Sequence, residues 1–250
     1  MRLLLKKNMK ITEGIMGMSV AVEVLDPCDG SDVDEILDYF HVVDETFSTY
    51  KKTSEISKIN RKELRAEDAS PEVKKILRLC EETRLVTHGY FDIHVEGIID
   101  PSGLVKGYAI SEASKKLVKR GYKNFYIEIG GDIDIRGLKN GQKWKVGVRD
   151  PRNKISNKKV LHLSNVGIAT SGTYERGMHI YDPIRKRLAS EVASITVIGE
   201  DVYEADRYAT AAYAMGKKGI DFLDTIEGIE GFMITQDGKE LLTDGFRNYL

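Results

Sequence analysis

NFYIEIGGDIDIRG, residues 124–137, is where the chain changes its period. From Ser31 up to Gly121 apolar residues recur at helical spacing. From Phe125 onward they alternate, so Phe125–Ile129 and Ile133–Ile135 read as strands with a glycine turn between them. The glycines are not a dinucleotide fingerprint. That motif needs a helix directly after its turn, and here another strand follows. The sequence holds neither GxxxxGK[ST] nor HExxH.

Downstream, Trp144–Val148, Val160–Leu163 and Ala193–Val197 continue the alternation, broken by glycine or Asn-Gly turns. One helix begins near Ala205. Ile229–Thr235, a Gln-Asp-Gly turn and Glu240–Thr243 read as a closing hairpin. Upstream, Met18–Val24 alternates as a strand. Ser31, with Asp34 three residues on, can cap a helix whose apolar stripe is Val33, Ile36, Leu37, Phe40, Val43 and Phe47. Ser70-Pro71-Glu72 opens a second helix with Val73, Ile76, Leu77 and Cys80 inward, and Gly89 is its terminator. A third covers about 104–120. Helices and mostly antiparallel strands mix without regular βαβ alternation, so the predicted class is α+β rather than a doubly wound sheet. No proline-rich linker divides the 250 residues, and 1–250 is expected to form one compact unit.

The formal net charge is −1, with 41% hydrophobic and 31% charged residues mixed along the chain. Such a balance gives no electrostatic case for nucleic acid or a membrane surface. The apolar run Leu3–Leu5 is too short for a signal peptide or a membrane span. Cys28 and Cys80 make neither a disulfide framework nor a zinc site, and the expected compartment is a reducing cytoplasm.

Three stretches carry candidate chemistry. In FDIHVEGIIDPSGLVKGYA, residues 91–109, Asp92 and Asp100 flank a turn, Gly103 permits close backbone approach, and Lys106 stands near a helix mouth suited to phosphate. The competing reading is a solvated loop before an ordinary helix. In IATSGTYERGMHIYDP, residues 168–183, Thr170, Ser171 and Gly172 offer hydroxyls and amides in a sharp turn, with His179 and Asp182 within reach. A satisfied strand-end histidine is the plainer account of His179. In EADRYATAAYAMG, residues 204–216, Asp206 and Thr210 share one helical face, an all-oxygen pair suited to Mg²⁺. Asp206 in a first helical turn would equally serve the helix dipole.

Read in order, GIMGMSVAVEV, FSTYKKTSEISKIN, GYFDIHV, DPSGLVKGYAISEASKKL, NFYIEIGGDIDIRG, IATSGTYERGMHIYDP and ITVIGEDVYEADRYATAAYAMG resemble the ApbE family of FAD:protein FMN transferases. The resemblance runs from about Gly14 to Gly216. It implies one α+β domain of two related halves. It also implies a Mg²⁺-dependent enzyme that takes FAD, releases AMP and attaches FMN to a threonine or serine of an acceptor protein bearing a short Gly- and Thr-containing motif. By position, Met16, Tyr50, Phe91, Asp92, Asp100, Lys106 and Tyr181 would hold FAD. Asp206, Thr210 and the Gly103 carbonyl would hold the metal, and His179 would assist flavin transfer. Met18, Pro101-Ser102, Tyr181 and the IRKR after Pro183 depart from the family pattern, while the metal pair is intact. Two other readings fit the same site: an FAD pyrophosphatase with water as acceptor, and a non-catalytic FAD-binding or delivery protein.

Overall fold

The chain is described by a computed structural model covering residues 7–28, 30–95, 97–172 and 180–250. Its first hairpin joins β1 (Lys7–Ile15) to β2 (Met18–Cys28) through Met16 and Gly17, with φ of 56° and 69°. Left-handed backbone at both central residues is what a tight two-residue hairpin requires.

Helix α1 (Ser31–Phe47) buries the expected stripe from Val33 to Phe47. Its start differs from the capping box read at Ser31. Gly30, at φ 99°, is the cap, and its carbonyl accepts the amides of Val33 and Asp34. Glycine takes that backbone angle without cost, so the helix begins with Ser31 already inside it. A short α2 (Glu55–Asn60) had too little periodic sequence to be foreseen. Helix α3 (Pro71–Val86) starts as expected, the Ser70 side chain accepting the Val73 amide, and it buries Val73, Ile76 and Cys80. The two-residue strands β3 (His94–Val95) and β4 (Ile98–Ile99) pair with each other and lead into α4 (Ser102–Lys119).

Strands β5 (Phe125–Ile129) and β6 (Asp132–Arg136) form the hairpin read from the quoted stretch, with Ile129 opposite Asp132 across Gly130-Gly131. Then come β7 (Trp144–Asp150), β8 (Asn153–Leu163), β9 (Val166–Gly172), β10 (Tyr181–Asp182), β11 (Arg187–Leu188) and β12 (Val192–Gly199). The chain ends with α5 (Val202–Ala214), α6 (Gly219–Asp224), β13 (Glu230–Thr235) and β14 (Glu240–Leu242).

One eight-stranded sheet runs β1-β2-β5-β6-β9-β12-β13-β14, and its pairings are antiparallel. The α+β reading therefore holds. The helices lie on one face of this sheet. On the other face the β7–β8 hairpin packs Trp144, Val148, Leu161 and Leu163 against Ile133, Ile135 and Ile168. The two ends of the sheet follow one plan: β2 returns through helices to its neighbour β5, and β12 returns through α5 and α6 to its neighbour β13. Helices α4 and α5, one from each end, pack against each other at the centre.

Neither cysteine is bonded to the other, and both are buried. Burial pushes the Cys80 thiol up to about 12, with the Asp100 charge adding to it. A thiol reagent is expected to leave both unmodified in the native protein at mildly alkaline pH and to label both once the chain is denatured. Mass spectrometry before and after denaturation checks this; rapid native labelling of either thiol would contradict the packing. Among the described residues no helix is long and apolar enough to cross a membrane.

Candidate active site

The site is built where α4 meets α5. Gly107 makes the meeting possible. A Cβ placed there would lie 2.6 Å from the Asp206 Cβ and 2.8 Å from the Val202 carbonyl oxygen. With no side chain in between, the Gly107 amide donates directly to Asp206 Oδ2 at 2.8 Å. Helix geometry assigns that amide to the carbonyl four residues back, which is Gly103. The Gly103 carbonyl in turn accepts from Thr210 Oγ1 at 3.3 Å. The carboxylate, the carbonyl and the hydroxyl thus stand within one turn of each other along a single seam.

Helix α5 starts at Val202, capped by the Asp201 side chain on the Tyr203 amide. Asp206 is therefore in the second turn, and the first-turn acid is Glu204, which pairs with Arg207. Dipole compensation does not account for Asp206. It is 4% exposed. Burial first, and then the neighbouring charge of Asp132, push its carboxyl well above the usual range; Lys106 and the Gly107 amide pull the other way.

The cavity against this seam has a volume of about 250 Å³. Met16, Tyr50, Phe91, Asp92, Asp100, Gly103, Lys106, Tyr181, Asp206 and Thr210 all line it, so each of these sequence-predicted positions is brought to one place. They differ in kind. Tyr50 is 95% exposed at the rim, while Phe91 is 2% exposed and forms part of the wall behind Gly103. Asp92 accepts the His94 amide at 2.8 Å, and Asp100 accepts the Ser102 amide at 3.0 Å, so both order the turns that lead into α4. His179 lies outside the described residues.

Two readings need correction. Thr170, Ser171 and Gly172 end strand β9 instead of making a sharp turn, because Gly172 pairs with Ser194 and Thr170 with Thr196 across to β12. They still line the cavity. Asp182 does not join them. It is 1% exposed and turns inward to accept the amides of Ile184 and Arg185, holding its own hairpin turn.

One residue was missed. Asp132, 1% exposed, points to the helical side of β6. Its Oδ2 lies 2.8 Å from Lys106 Nζ, and its Oδ1 accepts the Thr170 amide at 3.1 Å. The alternation in DIDI was the available signal, since it puts both aspartates opposite two core isoleucines. Polar residues on the second face of a strand ordinarily meet water; here α4 covers that face.

The donors gathered at the seam are oxygens only, few in number and of mixed charge. That set suits a small hard cation that keeps water or substrate oxygens on its remaining positions, as Mg²⁺ does. Next to it, the half-buried Lys106 offers a point charge for an anion.

Comparison with known proteins gives a consistent result. A family model for the ApbE family matches residues 16–100 and 96–233. The chain is similar to the FAD:protein FMN transferase of Vibrio cholerae, 30% identical over 166 residues, covering 61% of this chain and 50% of that protein. It is similar to the protein of the same name from Escherichia coli K12, 27% identical over 166 residues, covering 61% and 47%. This chain thus spans about half the length of the curated relatives it matches. Among solved structures, flavin transferase ApbE from Vibrio cholerae superposes with a TM-score of 0.85 at 23% identity, covering 98% of this chain and 99% of that one. The ApbE protein of Thermotoga maritima does so with 0.85 at 24%, covering 97% and 99%.

Proposed function

The chain belongs to the ApbE family, and on that premise we propose that it transfers FMN from FAD to a threonine or serine hydroxyl of an acceptor protein, with Mg²⁺, and releases AMP. Residues 1–250 act as one unit in this reading. The observation that carries it is the convergence of the Gly103 carbonyl, Asp206 and Thr210 on one wall of a cavity that also holds Lys106.

Asp206, Thr210 and the Gly103 carbonyl would hold the cation. When bound, Mg²⁺ neutralises diphosphate charge and makes phosphorus more electrophilic. Lys106 adds a fixed positive charge for a diphosphate oxygen, as phosphoryl-type transfer requires positioning and charge neutralisation above all. Tyr50 and Tyr181 present flat faces at the rim for a flavin or adenine ring. The acceptor hydroxyl oxygen attacks the flavin-side phosphorus. The bond to the bridging oxygen breaks, AMP departs with that oxygen, and the hydroxyl proton passes to a base, for which His179 is the candidate.

The test is incubation of the protein with FAD, Mg²⁺ and candidate acceptors, read by mass spectrometry. The expected result is an acceptor heavier by one FMN, with AMP in equal amount. Free FMN and AMP without an acceptor adduct would indicate water as acceptor, and intact FAD after long incubation would indicate a carrier. Replacing His179 by Ala is expected to slow labelling by about 10²–10⁴-fold with FAD affinity little changed. Unchanged labelling would remove His179 from the mechanism.

A further inference from the structure

Asp132 stands between the two parts of the site. One oxygen is fixed by a strand amide, from Thr170. The other meets Lys106 at 2.8 Å as an ion pair without an aligned hydrogen bond. Asp206 adjoins the same carboxylate, and Lys106 is close enough to act on Asp206 as well. The lysine therefore has two buried counter-charges to choose between. With both carboxylates buried and the lysine half-buried, such a choice is worth more than at a surface, since the interaction grows as the effective dielectric falls.

The choice matters because Asp206 cannot serve two partners equally. A lysine ammonium settled against Asp206 would neutralise the carboxylate and stand where a cation must approach. Held against Asp132, it leaves Asp206 available and sits beside the cation site as a separate charge.

We propose that Asp132 is a positioning residue that holds the Lys106 ammonium away from Asp206, keeping the cation site open and the lysine aimed at the substrate diphosphate. This rests on the reading of Gly103, Asp206 and Thr210 as a cation site. Asp132 touches neither the cation nor the substrate, and it acts through the lysine.

The probe is Mn²⁺ binding to the flavin-free, full-length protein, measured by electron paramagnetic resonance and calorimetry. Asp132→Asn keeps the size and an acceptor for the Thr170 amide. It is expected to weaken Mn²⁺ binding about tenfold, as Lys106 moves to Asp206. Lys106→Met alone is expected to bind Mn²⁺ at least as well as the wild type. The double variant Asp132→Asn/Lys106→Met is expected to recover affinity to within about threefold of wild type. A merely structural aspartate gives no such rescue. If Asp132→Asn binds like the wild type, or the double variant is as weak as Asp132→Asn, the inference is overturned while the cation site stands. If Lys106→Met binds more weakly than wild type, the inference is also overturned. If the wild type itself binds no Mn²⁺, the cation-site reading fails and takes this one with it.

Discussion

Replacing Asp206 with Asn is expected to reduce flavin transfer by on the order of 10³-fold while leaving the melting temperature unchanged or higher. The two halves of that expectation have separate causes. Asp206 supplies the sole charged oxygen among the three that would hold the cation, so its loss removes the strongest attraction for a divalent ion. Its contribution to folding runs in the opposite sense. It is buried at 4% exposure beside a second carboxylate, and both burial and Asp132 disfavour its ionised form. A neutral amide of the same size removes that penalty and keeps an oxygen for the Gly107 amide. A structural acid would behave otherwise, costing about 1 kcal/mol or more when its hydrogen bond or dipole interaction is lost. Single-turnover labelling with FAD and Mg²⁺, alongside a thermal melt, separates the cases. Full activity in Asp206→Asn would end the proposal for this site.

The second large effect is expected at Gly107. Exchanging glycine for alanine inside a helix ordinarily gains about 1 kcal/mol. Here the added methyl would meet the Asp206 Cβ at 2.6 Å and the Val202 carbonyl at 2.8 Å. Both belong to a well-packed helix, and neither is the loose end of a flexible side chain. Overpacking of this kind costs about 1–3 kcal/mol, and more when backbones must part. The clash should outweigh the propensity, so Gly107→Ala is expected to be less stable than the wild type by about 1–2 kcal/mol. Activity should fall further than stability, because the displacement acts on the helix that carries Asp206 and Thr210. Denaturant unfolding and labelling rates check the pair. An alanine variant as stable and as active as the wild type would show that the two helices separate easily.

Most of the architecture was legible because it was written in period. The switch at residues 124–137 located the hairpin correctly, and Ser70-Pro71 placed its helix start to the residue. What escaped was either short or contextual. Helix α2 offers six residues, too few for a stripe. The glycine cap of α1 lies one residue before the serine that looked like a cap, since a chemical preference for Ser competes with a backbone angle that glycine takes freely. At the site, the ten described positions that the family resemblance assigns to FAD or the metal line one cavity, and position in a family pattern, more than residue type, put them there. Asp182 and Asp132 show the limit of type. Both are aspartates beside candidate motifs. One secures a turn and the other meets Lys106 under helix α4.

The contact at Gly107 places folding and chemistry on the same atoms. The bare backbone that lets the two helices touch is also the one whose amide orients Asp206. Under the proposed transfer, variation aimed at a new acceptor has the exposed rim at Tyr50 as its raw material. The central seam offers none, because there a change tolerated by one demand is vetoed by the other.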